Sequence, residues 1–315
     1  MIVTVTMNPA LDKTAETDRL VLGGLNRLEH ITVDAGGKGI NVSKTIAALG
    51  GHSLATGFLG GNPGREIEAA LKAMHIETDF VSIENPSRTN MKVLSREHGI
   101  TELNEPGPAI RSDEMDALTE KLRGYAKPGV FFVFSGSLPV GVEPDTYETF
   151  IHSVRQRGAK VFLDADGEAF RRALLAMPDL IKPNKEELAQ YAPMAEEPSI
   201  DAYAALCLDL CNQGIETVVL SMGSQGALFA NGTTLLYAPG LPVQVQSTVG
   251  AGDSMVGALV YAFDQGMSLE DAAVLAMAVS AGAVMTSGTK PPSLAIVESL
   301  KKQVVLTPII SQRKV

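Results

Sequence analysis

Short apolar runs rich in β-branched and aromatic residues alternate along the chain with longer stretches in which apolar positions recur every three or four residues. IVTVT (2–6), SLATGFL (53–59), GVFFVFS (129–135), AKVFLDA (159–165), DLIKP (179–183) and ETVVLSM (216–222) read as strands. Amphipathic segments near 39–49, 64–75, 112–124, 145–157, 185–191 and 200–213 read as helices, and beyond 252 the pattern is largely helical to about 302. Runs such as VFFVF are apolar on both faces, as strands inside a buried parallel sheet must be. The alternation predicts an α/β fold, doubly wound, with a mostly parallel sheet and helices on both faces. Two segments break the rhythm, about 14–34 and 88–103, where polar and apolar residues alternate strand-like and run into the Gly- or Pro-rich joints DAGGKG and NEPGP. They predict a small β-sheet projecting from the main body, with one face free to cover a site or to pair with a second copy. The final residues ISQRKV (310–315) are expected to fray.

Composition narrows the class. A chain of 315 residues that is 45% apolar can bury a large core. Its net charge of −10, from 36 acidic and 26 basic residues, argues against a nucleic-acid partner. Small anions remain accessible to it through local Lys and Arg groups and helix N-termini. Apolar runs fall short of the roughly 20 residues of a membrane span, and the opening MIVTVTMNPALDK has no basic leader region, so a cytoplasmic protein is expected. Cys207 and Cys211 share a helical face and read as buried structural cysteines. The five histidines show no metal-ligand spacing.

Candidate chemistry sits at the joints. In QSTVGAGDS (246–254), Gly250, Ala251 and Gly252 strip the turn of side chains just before Asp253 and a helical stretch. Asp253 is either a helix cap or a reactive carboxylate beside backbone N–H groups that hold an anion. In DAGGKGIN, Gly36, Gly37 and Gly39 bracket Lys38 at the mouth of a helix, which is either a tight turn or an anion cradle. Neither a Walker loop nor the dinucleotide fingerprint is spelled there. NPALD places Asn8 and Asp12 directly after the first strand, and SGSLPVG places Ser137 after VFFVF, both where open α/β sheets bind ligands. KPNKEE reads as a capping box between Asn184 and Glu187, or as a polar cluster that, with Asp164, orders the waters of a magnesium ion. SMGSQGALF is a strand, a Gly-rich turn and a strand, suited to a hairpin or to lying against a nucleotide.

The order of these segments, NPALD, GGKGIN, SGSLP, KPNKEE, SMGSQGA and TVGAGD, resembles the ribokinase-like sugar kinases of the PfkB branch from the first strand to about residue 290. The spelling is nearest to members acting on fructose 1-phosphate, with those acting on tagatose 6-phosphate close behind. The resemblance implies one ribokinase-like kinase domain over 1–315 with a β-lid inserted, ATP as cosubstrate, Mg²⁺, a small sugar phosphate as acceptor, and a homodimer paired through the lid. It maps the proton acceptor to Asp253 and the anion hole to the N–H groups of Gly250, Ala251 and Gly252. Asp12, Gly37, Lys38, Asn41, Arg88, Asn90 and Ser137 fall in the substrate-binding set. Lys182, Asn184, Gly252 and the run Ser221, Met222, Gly223, Ser224, Gln225, Gly226 fall on the ATP side. Glu187 and Asp164 are expected to meet the metal through water. Asp166 and Phe170 depart from the expected Ser and Leu; neither is expected to touch the reaction, but the added acid near Asp164 is expected to bear on metal preference. A non-catalytic sugar-phosphate sensor is the alternative of another class, which the intact GAGD argues against.

Overall fold

A computed structural model describes residues 1–97, 99–191 and 198–309; His98 and the 310–315 tail fall outside it. In chain order the strands are β1 (Ile2–Thr6), β2 (Ala10–Thr17), β3 (Ile31–Gly36), β4 (Ser53–Gly60), β5 (Glu77–Thr78), β6 (Val81–Ile83), β7 (Arg88–Ser95) and β8 (Gly99–Leu103). They continue with β9 (Phe131–Ser135), β10 (Lys160–Asp164), β11 (Leu180–Ile181), β12 (Thr217–Ser221), β13 (Ala227–Asn231), β14 (Leu235–Ala238) and β15 (Thr307–Pro308). The helices are α1 (Lys38–Ala48), α2 (Gly61–Ala73), α3 (Ser112–Tyr125), α4 (Thr146–Arg155) and α5 (Gly167–Leu174). They end with α6 (Lys185–Tyr191), α7 (Ile200–Asn212), α8 (Ala251–Asp264), α9 (Leu269–Ala283) and α10 (Leu294–Lys301).

Period-two alternation builds the core on both faces of the main sheet. Phe132 and Phe134 of β9, Val161 and Leu163 of β10, and Val218 and Leu220 of β12 pack on one face with α3, α4 and α7 residues such as Leu118, Tyr147 and Cys207. Their in-between neighbours Val133, Phe162 and Val219 pack on the other, against the small-residue helices α8 and α9. Hence runs that alternate in direction are apolar throughout. The sheet has eleven strands among the described residues, in the order β15-β14-β13-β12-β11-β10-β9-β1-β4-β5, with β6 also on β4. Pairing is parallel from β12 to β5 and antiparallel from β12 out to β15. From β1 the chain passes to β4 on one side, whereas β9 starts the run on the other. The reversal opens a crevice at the carboxyl ends of β1 and β9.

The second sheet, β3-β2-β7-β8, is the expected lid. It begins earlier than the sequence pattern indicated: β2 starts at Ala10, so Asp12 lies in a lid strand and not in a loop after β1. Residues 18–30 are irregular and join β2 to β3. Helix α5 was not foreseen, because it is only eight residues long and opens on a glycine. Among the described residues no helix is long and apolar enough to cross a membrane.

Candidate active site

The strands of the parallel core end in polar residues along one edge. Thr6, Ser135 and Asp164 lie in register across β1, β9 and β10, and Ser221 bridges Asn184 further along. Two helices present their N-termini to this edge. One is α1, which opens on Lys38 after Gly37; φ there is 117°, and a methyl group would meet Thr6 Cγ2 at 2.8 Å. The other is α8, whose N-cap Gly250 is left-handed with φ 79°. Glycine is the residue that takes such angles without strain.

Asp253 stands in the first turn of α8, and it does not cap the helix. Its Oδ2 accepts a 2.8 Å hydrogen bond from Asn41 Nδ2 of α1. Burial, with the nearby Asp164 charge adding to it, pushes its carboxyl up to about 6 against the opposing effects of Asn41, Lys38 and Lys182. Of the three N–H groups before it, that of Ala251 makes a long 3.4 Å bond to the Thr248 carbonyl.

Asp164 holds the charges beside Asp253. It is 2% exposed, and its Oδ1 lies 3.4 Å from Lys182 Nζ and 3.7 Å from Lys38 Nζ. Burial alone would raise its pKa; the two ammoniums overcome that and hold it below the ordinary carboxylate range. Lys38 is in turn raised, first by Asp164, against burial and with Glu187 and Asp253 assisting. Lys182 reaches toward Gly252, where an added methyl would lie 3.5 Å from Nζ. Glu187 closes the capping box with Asn184: each backbone N–H donates to the other's side chain at 2.8 Å. Its Oε1 lies 4.0 Å from Lys38 Nζ, and burial raises its carboxyl. Ser221–Gly226 adjoin this corner through the Ser221 N–H on the Pro183 carbonyl and Lys185 on Gln225. Met222 turns its side chain into the core, which leaves only its backbone for a ligand.

The lid supplies the opposite wall. Asp12 Oδ1 accepts from Asn90 Nδ2 at 2.9 Å, and its Oδ2 pairs with Lys92 at 3.6 Å. Arg88 donates to the Asn8 and Glu105 carbonyls at 3.2 and 3.1 Å. Between lid and sheet edge lies a cleft of about 400 Å³, with Lys38 and Arg88 as its cations and Asn8, Ser135 and Ser137 as its neutral polar groups. Asp166 lines it too; Phe170 is core. Asn8 Oδ1, Asn90 Oδ1 and Ser135 Oγ are buried without a partner among the described residues. Leaving such atoms unmatched costs about 1–3 kcal/mol each; hydroxyls and phosphate-bound waters of a ligand are the natural partners.

The predicted residues therefore gather at one edge. Sequence reasoning missed Lys92, Ser135, Thr289 and Lys44, whose Nζ donates to Asn41 and Thr289. Apart from the strand-end position of Ser135, no local motif marks them. Among the described residues no cluster of three His, Cys, Asp or Glu side chains could hold a metal ion directly. With Asp164 paired to lysines, this donor set suits an ion that keeps its waters and arrives with a phosphorylated ligand. Cys207 and Cys211 are free, and burial raises both thiols, to about 12 and 11.

Residues 5–296 match the family described as pfkB family carbohydrate kinase. The chain belongs to that family. Among curated pfkB-type relatives it is 34% identical to 1-phosphofructokinase of Haemophilus influenzae over 309 residues, 98% of each chain. It is 36% identical to 1-phosphofructokinase of Haloferax volcanii over 310 residues, 98% of this chain and 99% of that one. Among solved structures it resembles phosphofructokinase-2 of Escherichia coli in complex with potassium, with a TM-score of 0.91, 31% identity and 96% and 98% of the two chains covered. Ribokinase of Arabidopsis thaliana, at 23% identity and TM-score 0.77, shares the fold. As a pfkB kinase the protein takes ATP as phosphoryl donor.

The raised carboxyl of Asp253 has a consequence for stability. A carboxyl whose folded pKa, about 6, lies above its unfolded value stabilises the fold below that unfolded value and loses the contribution as pH rises through 6. Asp253→Asn is therefore expected to stabilise the folded protein at pH 8 relative to wild type, by on the order of 1–3 kcal/mol, and much less at pH 4.5. Urea denaturation at the two pH values checks it; a gain that is equal at both contradicts a buried, ionised Asp253.

Proposed function

We propose that this pfkB kinase transfers the γ-phosphoryl group of ATP to the C6 hydroxyl of fructose 1-phosphate, giving fructose 1,6-bisphosphate and ADP, with Asp253 as proton acceptor. The observation that carries the reading is the position of Asp253: buried, held by Asn41, and one residue beyond the bare N-terminus of α8. The sugar oxygen forms a bond to the γ-phosphorus as the bond to the β,γ-bridging oxygen breaks; ADP leaves with that electron pair, and the hydroxyl proton passes to Asp253. With its pKa pushed up to about 6, the carboxylate is a better proton acceptor near neutral pH than an ordinary aspartate. The N–H dipoles at Gly250 to Gly252 are read as facing the charge that builds on the equatorial oxygens, with the Ala251 N–H giving up only its long bond to the Thr248 carbonyl.

The other residues divide by wall. Asp12, Asn41 and Asn90, with the Gly37 backbone, are read as sugar contacts. Lys38, Arg88 and Ser137 line the cleft and are read as holding the existing phosphate. Lys182, Asn184 and the 221–226 turn are read as the nucleotide side. A magnesium ion would screen phosphate charge there, with Glu187 and Asp164 facing its waters. The chain as a whole is read as one kinase domain with an inserted lid.

Fructose 1-phosphate is favoured because relatives named 1-phosphofructokinase match nearly the whole chain at 34–36% identity. A second reading has support as well. Phosphofructokinase-2 of E. coli in complex with fructose-6-phosphate has a TM-score of 0.90 at 30% identity. On that reading the sugar is reversed, and fructose 6-phosphate or tagatose 6-phosphate is phosphorylated at C1. The first experiment compares kcat/KM with ATP and Mg²⁺ across the three sugar phosphates. The expected result is a preference for fructose 1-phosphate of about a hundredfold, or about 2.7 kcal/mol; a preference for either 6-phosphate selects the second reading.

Asp253→Asn is expected to lower kcat by about 10²–10⁴-fold with little change in the KM of the sugar phosphate. In wild type the acidic limb of kcat/KM is expected near pH 6. Turnover of the variant within a few-fold of wild type would remove Asp253 from the reaction.

The lid also bears on assembly. Leu22, Leu25, Ile31, Val33, Ile100 and Leu103 are all exposed, with Leu22 at 90%. Ile31 and Val33 are two apart on the edge strand β3 and share a face. A homodimer through this lid would bury them. Light scattering is expected to give a dimer for wild type and a monomer for Ile31→Lys/Val33→Lys; a monomeric wild type at micromolar concentration contradicts the pairing.

A further inference from the structure

Lys44 lies one turn beyond Asn41 in α1, 5% exposed, and nothing in the proposed phosphoryl transfer uses it. Its ammonium has three N–H donors, and the fold sets three acceptors around it: the Ala35 carbonyl, Asn41 Oδ1 at 3.3 Å and Thr289 Oγ1 at 3.3 Å. Each acceptor comes from a different working part of the molecule. Ala35 is in lid strand β3, which pairs Asp34 with Asp12 and Gly36 with Ala10 of β2. Asn41 carries the hydrogen bond to Asp253. Thr289 packs on Gly250, where a built methyl would meet its Cγ2 at 3.2 Å.

An amide has two ends of opposite character. With Lys44 donating to Asn41 Oδ1, the Nδ2 end is the one left to face Asp253 Oδ2, and the flipped amide would set two donors against each other at Lys44 and two acceptors against each other at Asp253. Asp253 Oδ2 is thereby occupied, and Oδ1 is the oxygen left for an incoming hydroxyl. We propose that Lys44 is a positioning residue for phosphoryl transfer: it fixes the Asn41 amide and through it the orientation of the Asp253 carboxylate, and ties that orientation to the lid and to the N-terminus of α8. The inference rests on Asp253 being the proton acceptor. The charged groups around Lys44 are Asp34, Asp12 and Asp253, which favour its ammonium form, and Lys92, which opposes it; burial lowers its pKa.

The test is a kinetic cycle on the full chain with ATP, Mg²⁺ and the preferred sugar phosphate. Lys44→Met keeps the length of the side chain and removes its donors. It is expected to lower kcat about 10–100-fold while the KM for ATP stays within about threefold, the pattern of a lost transition-state arrangement. Lys44→Arg, which keeps charge and donors, is expected to stay within about fivefold of wild type in kcat. Because Lys44 acts through Asn41, adding Lys44→Met to Asn41→Ala is expected to lower kcat by no more than about threefold further. A folded Lys44→Met with wild-type kcat, or effects of the two substitutions that simply multiply, overturns the proposal. If Lys44→Met does not fold, Thr289→Val removes one of the three acceptors. It is then expected to lower kcat about threefold, and to lose that effect in the Asn41→Ala background; an unchanged kcat overturns the proposal in that case. Asp253→Asn in parallel separates the two failures: if it turns over normally the base assignment falls and this inference with it, whereas an inactive Asp253→Asn beside a normal Lys44→Met removes Lys44 alone.

Discussion

The site depends on one buried carboxylate between two lysines. Asp164, at the end of β10, is nearly sealed from solvent, and a lone charge there would be expensive. Lys38 from the start of α1 and Lys182 from just after β11 make it tenable at 3.7 and 3.4 Å. The same triad fixes the start of α1 to the centre of the sheet and holds positive charge at the mouth of α8. Three carboxylates, Asp164, Glu187 and Asp253, then share the field of two ammoniums. Asp164 is close enough to take most of the benefit and falls below its ordinary pKa, while Asp253 rises, because burial and then the Asp164 charge outweigh what Asn41 and the lysines return. One cluster thus contains an acid that stays ionised to hold cations and another whose proton affinity suits a base near neutral pH, and the difference comes from placement alone.

What could be read from the sequence followed from how local the cause was. The sheet strands were legible because apolar runs with no polar face have few alternatives to a buried parallel sheet. The box at Asn184 and Glu187 was legible because both partners lie within one turn, and the glycines at 37 and 250 because their backbone angles tolerate little else. Asp253 was ambiguous between cap and base, and local spacing had no means to decide. The structure excludes the cap, because Gly250 holds that position and the Asp253 carboxylate accepts from Asn41, 212 positions away. Lys44, Lys92 and Thr289 were invisible for the same reason: each gains its meaning from a partner on another element. Asp12 was placed in a loop because NPALD directly follows the first strand, yet the lid strand already begins at Ala10.

The lid is a sheet because its job is to hold a row of side chains at fixed spacing over a crevice. Parallel pairing of β2 with β7 sets Ala10 against Arg88, Asp12 against Asn90 and Thr14 against Lys92. The i, i+2 period of a strand then delivers Arg88, Asn90 and Lys92 to one face. A helix with the same residues would have scattered them by 200° steps. The two outer edges are less constrained: β3 leaves Ile31 and Val33 exposed, and β8 leaves Ile100 and Leu103 exposed. Apolar groups on an open edge are tolerated in a monomer only at a risk of misassembly, so their presence favours an edge that is covered in the working protein.

Substrate orientation turns on the cleft at the carboxyl ends of β1 and β9. Lys38 and Arg88 bring positive charge to it, and Asp166 brings a carboxylate to the same wall, as the N-cap residue of α5 whose side chain makes no capping bond. A phosphate seated there gains from the first two and is opposed by the third. The net preference is therefore set by which cation is left available. Lys38 is already shared with Asp164 and Glu187, so much of its charge is spoken for. Arg88 donates to the Asn8 and Glu105 carbonyls, and burial lowers its pKa although the Asp12 and Glu105 carboxylates favour its charge. Its planar guanidinium has donors that fit phosphate oxygens in pairs. On charge balance, then, Lys38 is the more committed of the cleft's two cations, with carboxylates at 3.7 and 4.0 Å, and Arg88, on two backbone carbonyls, the less committed.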